Sequence, residues 1–286
     1  MLNLRERLGQ LQHGRRMAPL VVDPEWSERL ARLRLLARER HGQTRCSLQP
    51  DLPGRELANG LRLHEVRVSA LRLKLAGLDL PLTLSPPWDP DEAIPIERLR
   101  LFDTETSGLC GGTGLKVFLL GVLRWDGDSW LLRQYLLSSM AGEAALVDAW
   151  VAECADAAHL VSYNGKRFDV PAMRTLETLH RRESKVLSAG HWDLLYPVRR
   201  AFRGVWPNCR LVTAERMLAG RERVDDLPGS EAPRAWREYL ACGQTSDLLR
   251  VMQHNRYDLE ALLRVFRALL QVQASAQRPR KVKRAA

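Results

Sequence analysis

The apolar positions change period several times along the chain, and each change marks an element. Trp26, Leu30, Leu33 and Ala37 recur at helical spacing behind an Asp23–Pro24 start, which predicts a helix running to about Arg40. Beyond it Leu61 and Leu63, Val66 and Val68, then Leu71, Leu73 and Leu75 alternate with polar residues, the period of half-buried strands. Four prolines between Pro86 and Pro95 then halt regular structure. The domain boundary is placed there. It leaves residues 1–95 as an accessory segment, a helix followed by short strands with a proline-rich linker at its end.

From Arg98 the pattern predicts an apolar strand ending at Asp103, a turn carrying Gly108, Gly111, Gly112 and Gly114, and two strand runs, KVFLLGVLRW and WLLRQYLL. A helix over 143–158 has Ala145, Val147, Trp150 and Val151 as its inner stripe. A short strand, HLVSY, and another helix after Asp169 follow it. A helix is expected over 194–202, and a closing one over about 248–270 with Met252, Leu259, Leu262, Leu263, Phe266 and Leu270 buried. Strands, helix, strand, helix in that order predict an α/β layer in which an antiparallel meander joins a parallel strand through a crossover. The main domain is therefore residues 96–270, and 271–286 form a basic tail.

Composition narrows the setting. No apolar run reaches the roughly 18 residues of a membrane span, and the opening MLNLRERLGQLQ lacks the apolar block of a secretory signal. A cytoplasmic address without membrane partners is expected. Cys46, Cys110, Cys154, Cys209 and Cys242 are widely spaced and never form C-x-x-C, which argues against disulfide frameworks and thiolate zinc sites. The net charge is +10, yet residues 1–95 carry 15 basic against 12 acidic side chains and residues 96–270 carry 24 against 22. The remaining +5 sits in the tail, on Arg278, Arg280, Lys281, Lys283 and Arg284. Such a tail either solubilises or holds phosphates, and both remain open.

Candidate chemistry gathers in three places. Asp103 and Glu105 stand at i and i+2 on a strand end, so both face one way while Thr104 faces the other. Adjacent carboxylates repel unless a cation lies between them, and a hard divalent ion is the simplest remedy; a solvated loop edge is the plain alternative. Asp169 follows Ser162-Tyr163-Asn164-Gly165-Lys166-Arg167-Phe168; it either caps the next helix or meets the first pair where strand-to-helix loops gather. Asn164 and Lys166 are then candidates for phosphate or sugar contacts, against a turn asparagine and a surface lysine. His254 and Asp258, at i and i+4, share one face of the closing helix. Four carboxylates of this kind can hold two divalent ions about 4 Å apart, the arrangement that stabilises attacking and leaving oxygens in phosphodiester cleavage, with His254 handling the proton of the attacking water. Tyr257 points about 100° away and is read as packing. The glycines after Asp103 do not make a phosphate loop, because no Gly-Lys-Ser/Thr closes the pattern. Asp193 is either a fifth acidic site residue or a helix cap, with the cap preferred. Arg199, Arg200 and Arg203 present a basic face that either guides a phosphate backbone or is merely solvated. Trp88, Trp192, Trp206 and Trp236 either stack on bases or pack, with packing preferred.

The ordered set L-F-D-T-E-T-S-G, Y-N-G-K-R-F-D and H-N-R-Y-D resembles the DEDD superfamily of ribonuclease-H-like exonucleases. His191-Trp192-Asp193-Leu194-Leu195, Asn208-Cys209-Arg210-Leu211 and Arg223-Val224-Asp225-Asp226-Leu227-Pro228-Gly229 bring it closer to the YprB-type predicted exonuclease family over about residues 96–270. The resemblance implies a ribonuclease-H-like mixed sheet flanked by helices and nuclease activity on DNA or RNA. It also implies two Mg²⁺ or Mn²⁺ ions on Asp103, Glu105, Asp169 and Asp258. Thr106, in the first motif, joins Asn164, Lys166, Arg199, Arg200 and Arg203 as a candidate nucleic-acid contact. One departure stands out: the superfamily's histidine branch spaces its His and Asp five apart, and here they are four apart, which loosens the assignment of the base. A non-catalytic nucleic-acid-binding module and an endonuclease are the competing expectations.

Overall fold

The computed structural model describes residues 51–68, 83–84, 86, 88–89, 91, 93–108, 114–184 and 190–276. All belong to the second of two units into which the chain divides, Gln49–Ala286. The predicted helix up to Arg40, the strand at 71–75 and all five basic residues of the tail lie outside the described residues.

Nine strands are described: β1 (Arg55–Ala58), β2 (Leu61–Val68), β3 (Thr83–Leu84), β4 (Ile94–Pro95), β5 (Leu99–Thr106), β6 (Val117–Trp125), β7 (Trp130–Leu137), β8 (His159–Ser162) and β9 (Gly190–Asp193). The helices are α1 (Glu143–Cys154), α2 (Asp169–His180), α3 (Leu195–Phe202), α4 (Leu211–Ala219), α5 (Ala232–Cys242) and α6 (Ser246–Ala276). Among the described residues no helix is long and apolar enough to cross a membrane.

Seven strands form one mixed sheet in the order β1-β2-β7-β6-β5-β8-β9. β5, β6 and β7 are the expected antiparallel meander, and α1 carries the chain over to β8, which runs parallel to β5. β9 adds a second parallel step beside β8. The alternation seen at 61–68 belongs to β2, which pairs with β7 from Leu61↔Leu137 to Val68↔Trp130. The sheet therefore starts before the proline-rich stretch, and a division at residue 95 cuts through it. Nor do the prolines exclude pairing: Thr83 faces Pro95 and Leu84 faces Ile94 in a two-stranded ribbon. A proline tolerates a short edge because only one ladder hydrogen bond is lost.

Helices cover both faces of the sheet. One apolar cluster gathers round Phe118, Trp150, Met173 and Trp236, the other round Trp192, Leu259, Phe266 and Leu269. Trp192 and Trp236 are thus core residues, Trp88 lies 6.2 Å from the Phe266 ring, and Trp206 stacks on Phe202. The stripe on α1 is rotated from expectation: Leu146, Val147, Trp150 and Cys154 are buried, while Ala145 and Val151 are only partly covered. Buried Glu153 on α1 accepts Arg133 Nη1 at 2.8 Å and the Tyr135 hydroxyl at 2.7 Å, tying that helix to β7.

α6 crosses the sheet at Gly121. A methyl group there would stand 2.3 Å from Asn255 Oδ1 and 2.6 Å from Leu259 Cδ1, so the helix lies at a distance that any side chain at 121 would prevent. Gly121→Ala should cost about 1–3 kcal/mol by overpacking. It should appear as a lower denaturant midpoint at unchanged slope; an unmoved midpoint would mean that α6 shifts freely.

Candidate active site

β5 ends at the carboxylates. Asp103 pairs with Gly121 and Glu105 with Leu119, so the strand's alternation sends both side chains to the face that α6 crosses. Fully buried Asn255 on α6 donates Nδ2–H to Asp103 Oδ2 at 2.9 Å. Its Oδ1 accepts from Gln134 Nε2 at 2.9 Å, and Gln134 also donates to Met252 O at 2.7 Å. With both Gln134 hydrogens spent, the orientation of each amide is determined by its partners. Asp169, the first residue of α2, comes from the far side of β5. Its Oδ1 accepts the backbone N–H of Thr104 at 3.0 Å and the Thr104 hydroxyl. Phe168, at the N-cap of α2, makes no side-chain cap, and Asp169 spends its Oδ1 on Thr104 of β5. Gly165 lets this happen: a Cβ there would meet Ser162 Oγ at 2.4 Å and Asp169 Oδ2 at 3.1 Å.

His254 and Asp258 lie one turn apart on α6, with His254 Nε2 3.6 Å from Asp258 Oδ2. The other ring nitrogen, Nδ1, is 2.7 Å from Asp226 Oδ1 in the loop before α5. That loop also supplies Arg223, whose Nη1 reaches Asp258 Oδ1 at 2.6 Å and Asp226 Oδ2 at 2.9 Å. Tyr257 accepts a hydrogen bond from Gln253 on its own helix.

Desolvation, reinforced by like charges, sets the electrostatics. Burial first, then the charges of Asp258, Asp169 and Glu105, hold the Asp103 carboxyl well above the ordinary range, against a small opposing pull from the Asn255 amide. Glu105 is raised well above its ordinary value by burial and by Asp258, Asp169 and Asp226. Burial pushes Asp169 up to about 6, opposed by its bonds from Thr104.

As placed, no three His, Cys, Asp or Glu side chains among the described residues close tightly enough to enclose a metal ion. The donor chemistry nonetheless suits one. One oxygen of Asp103 and one of Asp169 are taken by neutral donors, while the second oxygen of each and both oxygens of Glu105 carry no hydrogen bond among the described residues. Oxygen-only ligands under mutual repulsion are what a hard divalent ion relieves.

The rim brings in the other expected residues. Asn164 adopts a left-handed backbone, φ 68°, and its N–H goes to Asp193 Oδ1 at 2.7 Å. Asp193 also accepts from the backbone of Lys166 at 3.1 Å and of Leu195 at 3.1 Å, so it pins the loop and the start of α3. Exposed Phe168 and Tyr196 flank Lys166, whose Nζ lies 5.9 Å from the Tyr196 ring centre. Arg199 and Arg200 continue the exposed face of α3, and exposed Arg203 follows its last residue with extended backbone. Thr106 Oγ1 turns inward onto Gly108 O at 2.8 Å. Thr104, Gln134, Arg223, Asp226 and Asn255 were not picked out by spacing. Asn255 leaves a signal as a polar residue on an otherwise apolar stripe, and Arg223 and Asp226 leave one only through the stretch Arg223 to Gly229 that carries the family resemblance.

A carboxyl whose pKa is higher folded than unfolded favours the folded state at low pH, and that contribution is lost as pH rises through the folded value. In EDTA, Asp169 should therefore cost stability as pH rises from about 4 to about 6 and above. Asp169→Asn keeps an acceptor for Thr104 and loses the charge. It should melt higher than wild type near pH 7 and alike near pH 4; a lower melting temperature at neutral pH would count against the crowding.

Among curated proteins, the uncharacterized protein YprB of Bacillus subtilis is 39% identical over 171 residues, 59% of this chain. The chain spans only 41% of that relative's length. Among solved structures, a family B DNA polymerase of Pyrobaculum calidifontis aligns at 19% identity over 62% of this chain and 25% of its own, with a TM-score of 0.47. A product-bound exonuclease I aligns at 16% identity over 54% and 45%, with a TM-score of 0.36. Residues 101–270, which hold all the carboxylates above together with His254 and Arg223, match the family described as the RNase_H superfamily, and the chain belongs to it.

Proposed function

We propose that the chain is a divalent-metal-dependent nuclease that hydrolyses phosphodiester bonds from the end of a DNA or RNA strand, using Mg²⁺ or Mn²⁺. The observation that carries this reading is the gathering of Asp103, Glu105 and Asp169 at one strand end, each held above its ordinary range, with only neutral donors on the first and third. The first two are raised by desolvation and by the charges of Asp258 and Asp169, the third by desolvation and by Asp193. Membership of the RNase_H superfamily supports nucleolytic chemistry. A divalent ion bound there would supply an activated water and charge stabilisation on the phosphoryl oxygens.

The chain's own residues would do the rest. With Nδ1 of His254 2.7 Å from Asp226 Oδ1, the ring would present Nε2 on the Asp258 side, placed to handle the proton of the attacking water. Asn255 and Thr104 would hold Asp103 and Asp169 in orientation without neutralising them. The substrate path follows from the rim. Tyr196, Arg199 and Arg200 share one face of α3, with Arg203 just past its C-terminal end, and Lys166 and Phe168 lie directly before Asp169. A cavity of about 560 Å³ at the end of α3 is lined by Asn164, Arg199, Arg203, Trp206 and Arg210 among others, and no acid faces it. Arginines suit phosphates and exposed aromatic rings suit unpaired bases.

The full chain should release nucleotides from end-labelled DNA or RNA with Mn²⁺ and spare a circular single strand. Cleavage of the circle would make it an endonuclease, and binding without release would favour the non-catalytic module. Asp103→Asn should abolish release while keeping the melting transition. His254→Ala should lower turnover by about 10²–10⁴-fold, whereas Tyr257→Phe should do little; the reverse pattern would transfer the proton step to Tyr257.

A further inference from the structure

The four carboxylates differ in what neutralises them. Asp103 and Asp169 meet neutral donors, from Asn255 and Thr104. Asp258 meets a cation, with Arg223 Nη1 2.6 Å from Oδ1. This guanidinium is built in. Its side chain is 5% exposed, its Nε donates to Glu215 Oε2 at 3.0 Å, and its Nη1 is shared with Asp226 at 2.9 Å. Glu215, 1% exposed on α4, is held in turn by Arg264 Nη1 of α6 at 2.7 Å. Arginine keeps its charge at any pH a folded protein survives. Displacing it would strip Asp226 and Asp258 of their arginine and leave Glu215 with Arg264, in a mostly buried corner.

We propose that Arg223 is the permanent second cation of this site, so that the chain binds one divalent ion, through Asp103, Glu105 and Asp169, where two are the expectation from sequence. The inference rests on the nuclease reading above and alters its ion count. A fixed positive charge beside Asp258 repels an ion at that corner and removes the negative charge that would attract it. Arg223 also has a donor to spare: Nη2 is buried and has no hydrogen-bond partner among the described residues. The ligand chemistry that matches an orphaned guanidinium N–H beside Asp258 is a phosphoryl oxygen. Arg223 thereby offers the substrate the charge stabilisation that a second ion would otherwise give.

The test counts ions. The full-length chain, stripped with EDTA, is titrated with Mn²⁺ alone, by calorimetry and by electron paramagnetic resonance of the free ion. One Mn²⁺ per chain is expected. Asp103→Asn should weaken its binding by about 10- to 100-fold or more, and Asp258→Asn by clearly less. Arg223→Met should admit a second Mn²⁺. If that variant does not fold, Arg223→Lys, which keeps the charge, should still bind one, and the wild-type count decides the matter by itself. Two ions of similar affinity on the wild type would overturn the role of Arg223 and leave the metal-dependent nuclease standing. No bound ion at millimolar Mn²⁺ would overturn both.

Discussion

The site depends on how closely α6 lies against β5 and β6. Because residue 121 has no side chain, Asn255 sits within hydrogen-bond reach of both Gln134 and Asp103. Buried amides tolerate no loss of partners, so this contact sets register as well as distance. Sliding α6 by a residue would strand the amides of Asn255 and Gln134 together. The positions of His254 and Asp258, on the same helix, are therefore inherited from a packing contact that involves neither.

Around that contact the protein gathers charge of one sign and manages it by two means. On one side, uncharged donors orient the carboxylates and leave their repulsion in place. On the other, a loop without regular structure carries Arg223 and Asp226 in together, one facing Asp258 and the other His254. Asp225 within this loop has a left-handed backbone, φ 54°, a conformation that aspartate tolerates better than most residues other than glycine.

Much of this was legible in the amino-acid order because it is local. Alternation marks β2, apolar runs mark β5, β6 and β7, and the i, i+2 and i, i+4 spacings place Asp103 with Glu105 and His254 with Asp258 on common faces. What escaped depends on distant partners. Thr104, set aside as facing away, bonds Asp169, 65 residues on. Arg223 and Asp226 lie in a loop, where no period exists to be followed. The prolines misled for a related reason: they report what a helix or central strand cannot be, and say nothing about a two-residue pair at an edge. Composition changes at 86–95, but the sheet on either side is continuous.

That continuity has a bearing on association. β2 covers β7 along eight residues of each strand, and β7 reads WLLRQYLL. Without β2, a long and largely apolar strand would present unpaired N–H and C=O groups to any other chain, the kind of edge from which sheets recruit strangers. The strand that ends the sheet in its place is a poor recruiter. β1 has four residues, mostly exposed, and its register slips between Glu56 and Ala58. β1 and β2, ahead of the prolines, thus keep the sheet from growing into its neighbours, a task that a superfamily match confined to residues 101–270 leaves out of view.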